Sequence, residues 1–213
     1  MPHRRWCWVF AAATALALLS LISNLTTAAQ LSGQANFALA VRFTISKLVN
    51  SGTIWAGLGI LSGWLVRRAP QAFVAGIAAC TFALLTHYGL GRFFGVFTTD
   101  VWASNSYWFL AALVAGGPLG LIGAVARQAS LLGLAARLVV PVAAILEPFV
   151  VGMFGQPTIL PWPDRVSSVV TGSILLATGV AGLTWSLFRR GGSTQERWAP
   201  PSPKKTAETP MGE

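Results

Sequence analysis

The chain has 213 residues, of which 54% are hydrophobic and only 10% charged, and its formal net charge is +9. Long apolar runs at this charge density exclude a soluble globular protein and indicate an integral membrane protein in contact with the lipid bilayer. The basic residues stand mainly at the ends of the apolar runs, which is typical of membrane topology. No separate basic domain with interleaved aromatic residues predicts nucleic-acid binding.

The first apolar run extends from Trp6 to Ala29 and follows Arg4 and Arg5. Two interpretations stand beside each other: a signal peptide cleaved after Thr27-Ala28-Ala29, or an uncleaved first membrane helix. The run is long for a signal peptide and only half meets the small-residue rule for cleavage. We therefore favour an uncleaved helix over residues 6–29.

The hydrophobic residues of the segment from Gln30 to Lys47 fit both a strand period and a helix period. Its alternation fits a strand, while Phe37, Val41 and Ile45 also fall on one helical face. A strand with open edges cannot lie in lipid, because its unpaired N–H and C=O groups would have no partners. The pattern therefore predicts an amphipathic helix at the membrane interface that leads into the next span.

Five more apolar runs follow, bounded by arginines, prolines and turn residues. With the first run they predict an all-α fold, a polytopic membrane helix bundle of six transmembrane helices within residues 1–190. The tail, residues 191–213, is rich in Pro, Ser, Thr and Lys and predicts a disordered cytoplasmic segment. The five further spans are expected at about 48–66, 71–90, 107–126, 131–154 and 166–188.

Positive charge predicts the orientation. With both termini in the cytoplasm, ten basic residues fall on the inner side and four on the outer side, as the positive-inside rule requires. The inner set is Arg4, Arg5, Arg67, Arg68, Arg127, Arg189, Arg190, Arg197, Lys204 and Lys205; the outer set is Arg42, Lys47, Arg92 and Arg165.

Small residues recur at a spacing of four, which lets helix backbones approach closely in lipid. They are Gly59 and Gly63, Gly116 and Gly120, Ala11 and Ala15, and Ala13 and Ala17. Such stripes can dock a partner membrane protein or pack helices within the bundle. We favour internal packing, because this chain is rich in Ala and Gly throughout.

Glu147 is the only acidic residue within a predicted span, and a carboxylate there should be protonated, paired or turned towards a cavity. His87, Tyr88 and Arg92 cluster at the outer end of the third span, at a similar depth. Together with Glu147 they could bind a small solute, although His87 and Tyr88 also suit the headgroup level. Arg137 is a further candidate ligand-binding residue; the simpler interpretation is that it snorkels to the cytoplasmic surface.

The sequence carries no enzyme signature, and we predict no catalytic residue, metal or cofactor. Cys7 and Cys80 are expected at different levels of the bilayer, so no disulfide is predicted. The hypothesis that remains is binding or transport of a small solute from the outer side. The alternative is a non-catalytic structural or assembly subunit that packs against a larger membrane complex.

Two resemblances bear on this choice. The stretch Ser51–Gly63, followed by Arg67-Arg68-Ala-Pro70, resembles small polytopic proteins of high-GC Gram-positive bacteria, as do Glu147 and the pair His87-Tyr88. That resemblance implies a bacterial cytoplasmic membrane and no reaction. The size, the six spans and the AxxxA pattern at Ala11/Ala15 and Ala13/Ala17 resemble the substrate-binding membrane subunits of energy-coupling-factor vitamin transporters. This second resemblance implies a small ligand and a partner subunit.

Overall fold

The computed structural model describes residues 2–195, and every regular element in that range is a helix. The predicted all-α fold is therefore confirmed. The helices are α1 (Pro2–Ser23), α2 (Ala28–Leu31), α3 (Asn36–Val49), α4 (Gly52–Val66), α5 (Ala69–Phe93), α6 (Val101–Ser104), α7 (Ser106–Val125), α8 (Leu131–Val150) and α9 (Trp162–Gln195).

Five of these helices, α1, α5, α7, α8 and α9, are long and apolar enough to cross a membrane. They correspond to the predicted first, third, fourth, fifth and sixth spans, and they make the chain a multi-pass membrane protein. The predicted second span corresponds to α4, which has 15 residues. At 1.5 Å per residue α4 is about 22 Å long, shorter than the ~30 Å apolar core of a bilayer. The count of six passes therefore stays a prediction.

The helix ends differ from the predicted span ends at several points: the first span, predicted over 6–29, ends as α1 at Ser23, and the fifth, predicted over 131–154, ends as α8 at Val150. Thr27-Ala28-Ala29, considered above as a cleavage site, begins the short helix α2, where the Thr27 hydroxyl and the Gln30 side chain cap each other's backbone N–H. At the other end, α9 continues to Gln195, five residues into the predicted tail. The rest of that tail, residues 196–213, lies outside the described residues.

Glycines bring α4, α5 and α7 into backbone contact. A Cβ added to Gly63 would lie 1.8 Å from the Gly120 carbonyl oxygen, and one added to Gly120 would lie 2.0 Å from that of Ala72. A Cβ added to Gly76 would lie 2.0 Å from the Gly116 carbonyl oxygen. Both GxxxG pairs are therefore used inside the bundle, where close backbones gain dispersion contacts.

The first helix divides its small residues between two faces. Ala13 and Ala17 are fully buried in a cluster that includes Ala75 and Ala79 of α5. Ala11 and Ala15 are exposed on the opposite face. Only one of the two predicted AxxxA pairs therefore packs within the described part of the chain.

Helix α3 packs against α9 through an ion pair and hydrogen bonds. Lys47 Nζ forms an ion pair with Asp164 Oδ1 at 2.6 Å, and it donates to the hydroxyls of Ser167 and Ser168 at 2.9 and 2.6 Å. The partly buried ammonium group thus faces several acceptors, as an ammonium with three N–H donors requires. This ion pair holds the amphipathic α3 against the start of α9.

Arginines gather at one end of the bundle, which we call the basic end. Arg5 donates to the Val66 carbonyl at 3.5 Å, and Arg127 donates to the Trp64 carbonyl at 3.3 Å while its guanidinium covers the Trp64 ring at 4.7 Å. Desolvation, and then the positive charges of Arg67 and Arg5, lower the pKa of Arg127. Arg5, Arg67 and Arg127, which the sequence predicts on one side of the membrane, thus lie at one end of the bundle.

The glycine contacts predict a sharp difference between two identical substitutions in α4. Gly63→Ala should destabilise the bundle by about 1–3 kcal/mol, because the new methyl group forces the α4 and α7 backbones apart. Gly57→Ala is the matched control, since a Cβ there meets nothing within 4 Å. Thermal unfolding in mild detergent measures both. Equal stability of the two variants would contradict the assigned contact.

Candidate functional site

The chain breaks between α3 and α4 at Asn50 and Ser51, and this break sets up the candidate site. A helix start leaves its first backbone N–H groups without intrahelical partners. In α4 the Gly52 amide donates to Glu147 Oε1 at 2.7 Å, and the Thr53 amide donates to Glu147 Oε2 at 2.9 Å. The Ile54 amide donates to the Ser51 hydroxyl at 3.3 Å. Every free donor of the first turn thus has an acceptor.

Glu147 reaches α4 from another helix, because it lies on α8 three residues before Val150. Its two carboxylate oxygens each accept one backbone N–H, and its negative charge stands at the positive end of the α4 dipole. This pairing satisfies a carboxylate that would otherwise be costly inside a span. Glu147 therefore acts as the N-terminal cap of α4 across 95 residues of sequence.

A cavity of about 270 Å³ lies between α4, α5 and α7. On α7 its wall extends from Trp108 to Leu119, which corresponds to about 16 Å along the helix axis. Aromatic side chains line the end away from the basic end, where Asn50 and Gly52 also contribute. Small and aliphatic residues, together with the free thiol of Cys80, line the deeper part.

His87 is the unusual residue in this wall. It is 5% exposed; its ring forms a hydrogen bond with the backbone of Ala17 on α1, while its Nδ1 atom is buried and has no partner of its own within the described residues. The centroid of its ring lies 4.9 Å from that of Tyr88, in an edge-on arrangement, and 5.2 Å from that of Phe97. Phe97 belongs to the α5–α7 connection, which therefore covers His87 on the side away from the basic end. The Nδ1 atom is therefore packed against protein rather than open to the cavity.

The predicted site residues do not all meet. His87 and Tyr88 line the cavity, whereas the Glu147 carboxylate is occupied by α4 and touches the cavity only through Gly52. Arg92 is exposed and outside the cavity wall. Arg137 donates from Nε to the Gly133 carbonyl at 3.1 Å and from Nη2 to the Gln128 carbonyl at 3.2 Å, at the α7–α8 turn. The geometry thus separates the ionic groups from the cavity.

Sequence reasoning missed several residues of the wall. Trp55, Trp108 and Cys80 each line the cavity; tryptophan in a membrane protein is ordinarily expected at the interface level, and Cys80 was considered only for a disulfide. Helical spacing could have found one relation: Cys80 and His87 are seven residues apart on α5 and therefore share a face. Within residues 2–195, no group of three His, Cys, Asp or Glu side chains is arranged to hold a metal ion.

Comparison of the chain with protein-family models, with curated proteins and with solved structures finds no match.

The capping geometry predicts a graded response at position 147. Glu147→Leu removes both acceptors and should cost about 1–3 kcal/mol, because two amide groups lose their partners away from water. Glu147→Gln keeps one acceptor oxygen and should cost less. Stability is read from thermal unfolding in detergent.

The control is Asp100→Asn, which removes a carboxylate from the exposed α5–α7 connection. There the Thr98 hydroxyl donates to Asp100, and this hydrogen bond lowers the pKa of the carboxyl. That variant should leave the bundle nearly as stable as wild type. Stability unchanged in Glu147→Leu would show that the carboxylate does not support α4.

Proposed function

We propose that this protein binds a small, mainly apolar molecule in the cavity between α4, α5 and α7, at the end of the bundle away from the basic end. The observation that carries the proposal is the cavity of about 270 Å³ itself, whose wall is mainly apolar and includes only a few polar residues, among them Asn50, His87 and Tyr88. Ligand sites are typically concave, mostly apolar and equipped with a few polar groups that orient the ligand.

The proposal includes an orientation in the membrane. The basic end, with Arg5, Arg67 and Arg127, faces the cytoplasm, both termini lie on that side, and α4 completes a sixth pass. The cavity then lies in the outer half of a bacterial cytoplasmic membrane. Binding, or transport together with a partner subunit, would begin from that side.

Reporter fusions test the orientation. A reporter that is active only in the periplasm should give no signal when fused after Arg190, because that end of α9 is cytoplasmic in this arrangement. The same reporter inserted in the α5–α7 connection, at Thr98-Thr99, should be active. The opposite pair of results would invert the assignment, and activity at both positions would exclude six passes.

Alkylation of Cys80 tests whether the cavity admits small molecules. The chain has two cysteines, and Cys7 is exposed while Cys80 is buried in the cavity wall. In the Cys7→Ser protein, N-ethylmaleimide should alkylate Cys80 in the folded state, and intact-mass spectrometry measures the rate. Ala115→Phe narrows the cavity on α7 and should slow this reaction at least several-fold.

Leu113→Phe is the matched control, because Leu113 is exposed on α7 and is not in the cavity wall. It should leave the alkylation rate of Cys80 unchanged. Equal alkylation rates of Cys80 in the Cys7→Ser protein with and without Ala115→Phe would count against access through this cavity and against the proposed binding function.

The exposed pair Ala11 and Ala15 favours a second candidate, assembly with another membrane protein. These two residues share the outward face of α1 with Leu18, Leu19 and Ile22, which are 38%, 57% and 62% exposed. Helices in lipid often associate through such small-residue faces. Purification of wild type and Ala15→Leu in mild detergent compares the two functions: a partner lost only from Ala15→Leu supports assembly.

A further inference from the structure

The last turn of α4 is surrounded by arginines from three parts of the chain. Arg5 of α1 donates from Nη1 to the Val66 carbonyl, and Arg127 of the α7–α8 turn donates from Nη1 to the Trp64 carbonyl. Arg67 follows directly as the C-cap of α4. A helix end leaves its last carbonyls free, so these bonds hold two guanidinium groups at this point. Desolvation, and then the positive charges of Arg67 and Arg5, lower the pKa of Arg127, as expected for neighbouring cations.

These arginines have no carboxylate beside them. The acidic residues of the described chain are Asp100, Glu147 and Asp164. All three lie at the other end of the bundle, in the α5–α7 connection, near the end of α8 and at the start of α9. The cluster is also accessible, since Arg67 and Arg127 are exposed and Arg5 is half-buried. It therefore carries an uncompensated positive charge that an anion from outside the protein can reach.

Arg67 has a backbone conformation that favours glycine. Its φ is +76°, and it is the one non-glycine residue with a positive φ in the part of the chain that the structure describes. Glycine is the usual residue at such a helix end, because it has no Cβ to clash in this conformation. An arginine here has a strained backbone and places a further charge beside Arg5 and Arg127. Strained residues concentrate at functional sites, so we examined what this charge could bind.

The start of α5 adds further hydrogen-bond donors. The helix begins at Ala69 after Arg68, whose side chain provides no cap. The first N–H groups of a helix have no intrahelical acceptors, and the positive end of the helix dipole favours an anion there. The short turn from Arg67 to Ala69 joins this helix start to the arginine cluster. A phosphate at this turn would meet both charged guanidinium groups and backbone N–H groups.

The surroundings of the cluster favour a phospholipid over a free phosphate ion. The Arg127 guanidinium covers the ring of Trp64, which is 44% exposed, and Leu61, about one turn earlier on α4, is 42% exposed. Tryptophan at the end of a membrane helix is typical of the boundary between headgroups and acyl chains. An exposed apolar strip thus begins where the charged cluster ends. An anionic phospholipid has both parts in the same order, a charged phosphate followed by acyl chains.

We propose that Arg5, Arg67 and Arg127 form a binding site for the headgroup phosphate of an anionic phospholipid, whose acyl chains lie along Leu61 and Trp64. The chemistry that the site recognises is a phosphate with net negative charge, held by guanidinium groups in forked hydrogen bonds. In the orientation proposed above, this lipid belongs to the cytoplasmic leaflet, whose surface is negative. The site lies at the opposite end of α4 from Asn50 and Gly52 and does not depend on ligand binding in the cavity.

Native mass spectrometry measures the selectivity of this site. The full-length protein in mild detergent is titrated with equal amounts of phosphatidylglycerol, which is anionic, and phosphatidylcholine, which has a phosphate but no net charge. The wild type should retain phosphatidylglycerol in preference. Arg67→Gly should lower the ratio of bound phosphatidylglycerol to bound phosphatidylcholine by about fivefold, the factor expected for the loss of one arginine near anionic lipid. Thermal unfolding without added lipid should show this variant at least as stable as wild type, since glycine suits the backbone at this position.

Three further variants separate the charge from effects of the backbone and of the surface. Arg67→Lys keeps the charge and should retain most of the selectivity. Arg67→Asn tolerates the left-handed backbone but lacks the charge, so it should lose selectivity as Arg67→Gly does. Arg4→Ala removes one charge from the same end of the bundle, where Arg4 is exposed and, within the described residues, makes no hydrogen bond to the end of α4. That variant should leave the ratio nearly unchanged.

The outcomes decide between a defined site and general attraction. Equal losses in Arg4→Ala and Arg67→Gly would assign the selectivity to surface charge and overturn the site. An unchanged ratio in both uncharged variants of Arg67, or a loss in only one of them, would overturn it as well. Inorganic phosphate at the same concentration as the phospholipids, with ionic strength matched by chloride, should not displace phosphatidylglycerol, because it has no acyl chains. Displacement would overturn the lipid and indicate a site for soluble phosphate.

Discussion

The two hydrogen bonds from the first turn of α4 to Glu147 determine where that helix begins, and much of the rest of the bundle depends on this point. In lipid a helix can start only where its first N–H groups find acceptors within the protein, because no water is available. Glu147 provides both acceptors about one turn before the end of α8. Helix α4 therefore begins within the bundle, and Asn50 and Gly52 become part of the cavity wall.

Residue size along α4 and α7 explains why a cavity forms beside this start. Towards the basic end, Gly63 and Gly123 allow the two backbones to touch. Towards the opposite end, Trp55 and Trp108 replace them. Two helices joined closely at one end and separated by bulky rings at the other enclose a wedge of space, and α5 closes its third side. Close glycine contact and an open cavity are thus two consequences of one gradient in side-chain size.

The sequence was sufficient to predict the helices, because each long apolar run carries its own boundary signals. Ala69-Pro70, for example, begins α5, as expected for proline in the first turn of a helix. The richness of the chain in Ala and Gly also predicted that both GxxxG pairs pack helices within the bundle. The shortness of α4 did not, since the apolar run 48–66 continues across the break at Asn50 and Ser51. The break needs the distant Glu147 as well as the local Ser51 cap, and no local sequence pattern reveals a contact over 95 residues.

The candidate site was predictable only in part, for a related reason. His87 and Tyr88 do line the cavity, but Arg92 and Arg137 do not, and Glu147 reaches it only through Gly52. Depth along each helix could be read from the sequence, whereas helix rotation could not. Two residues at one depth meet only if both helices turn them to the same side, and that rotation follows from contacts between distant helices.

Several ionic groups of the chain, among them the site candidates Glu147 and Arg137, hold helices and turns together. Lys47 joins α3 to α9 through Asp164, Glu147 caps α4, and Arg137 binds the α7–α8 turn. These three charges thereby gain partners and avoid the cost of isolation in lipid. The cavity is left with aromatic, aliphatic and amide groups and a single histidine. A wall of that kind offers no counter-charge to an ionic molecule, so it suits small neutral molecules better than charged ones.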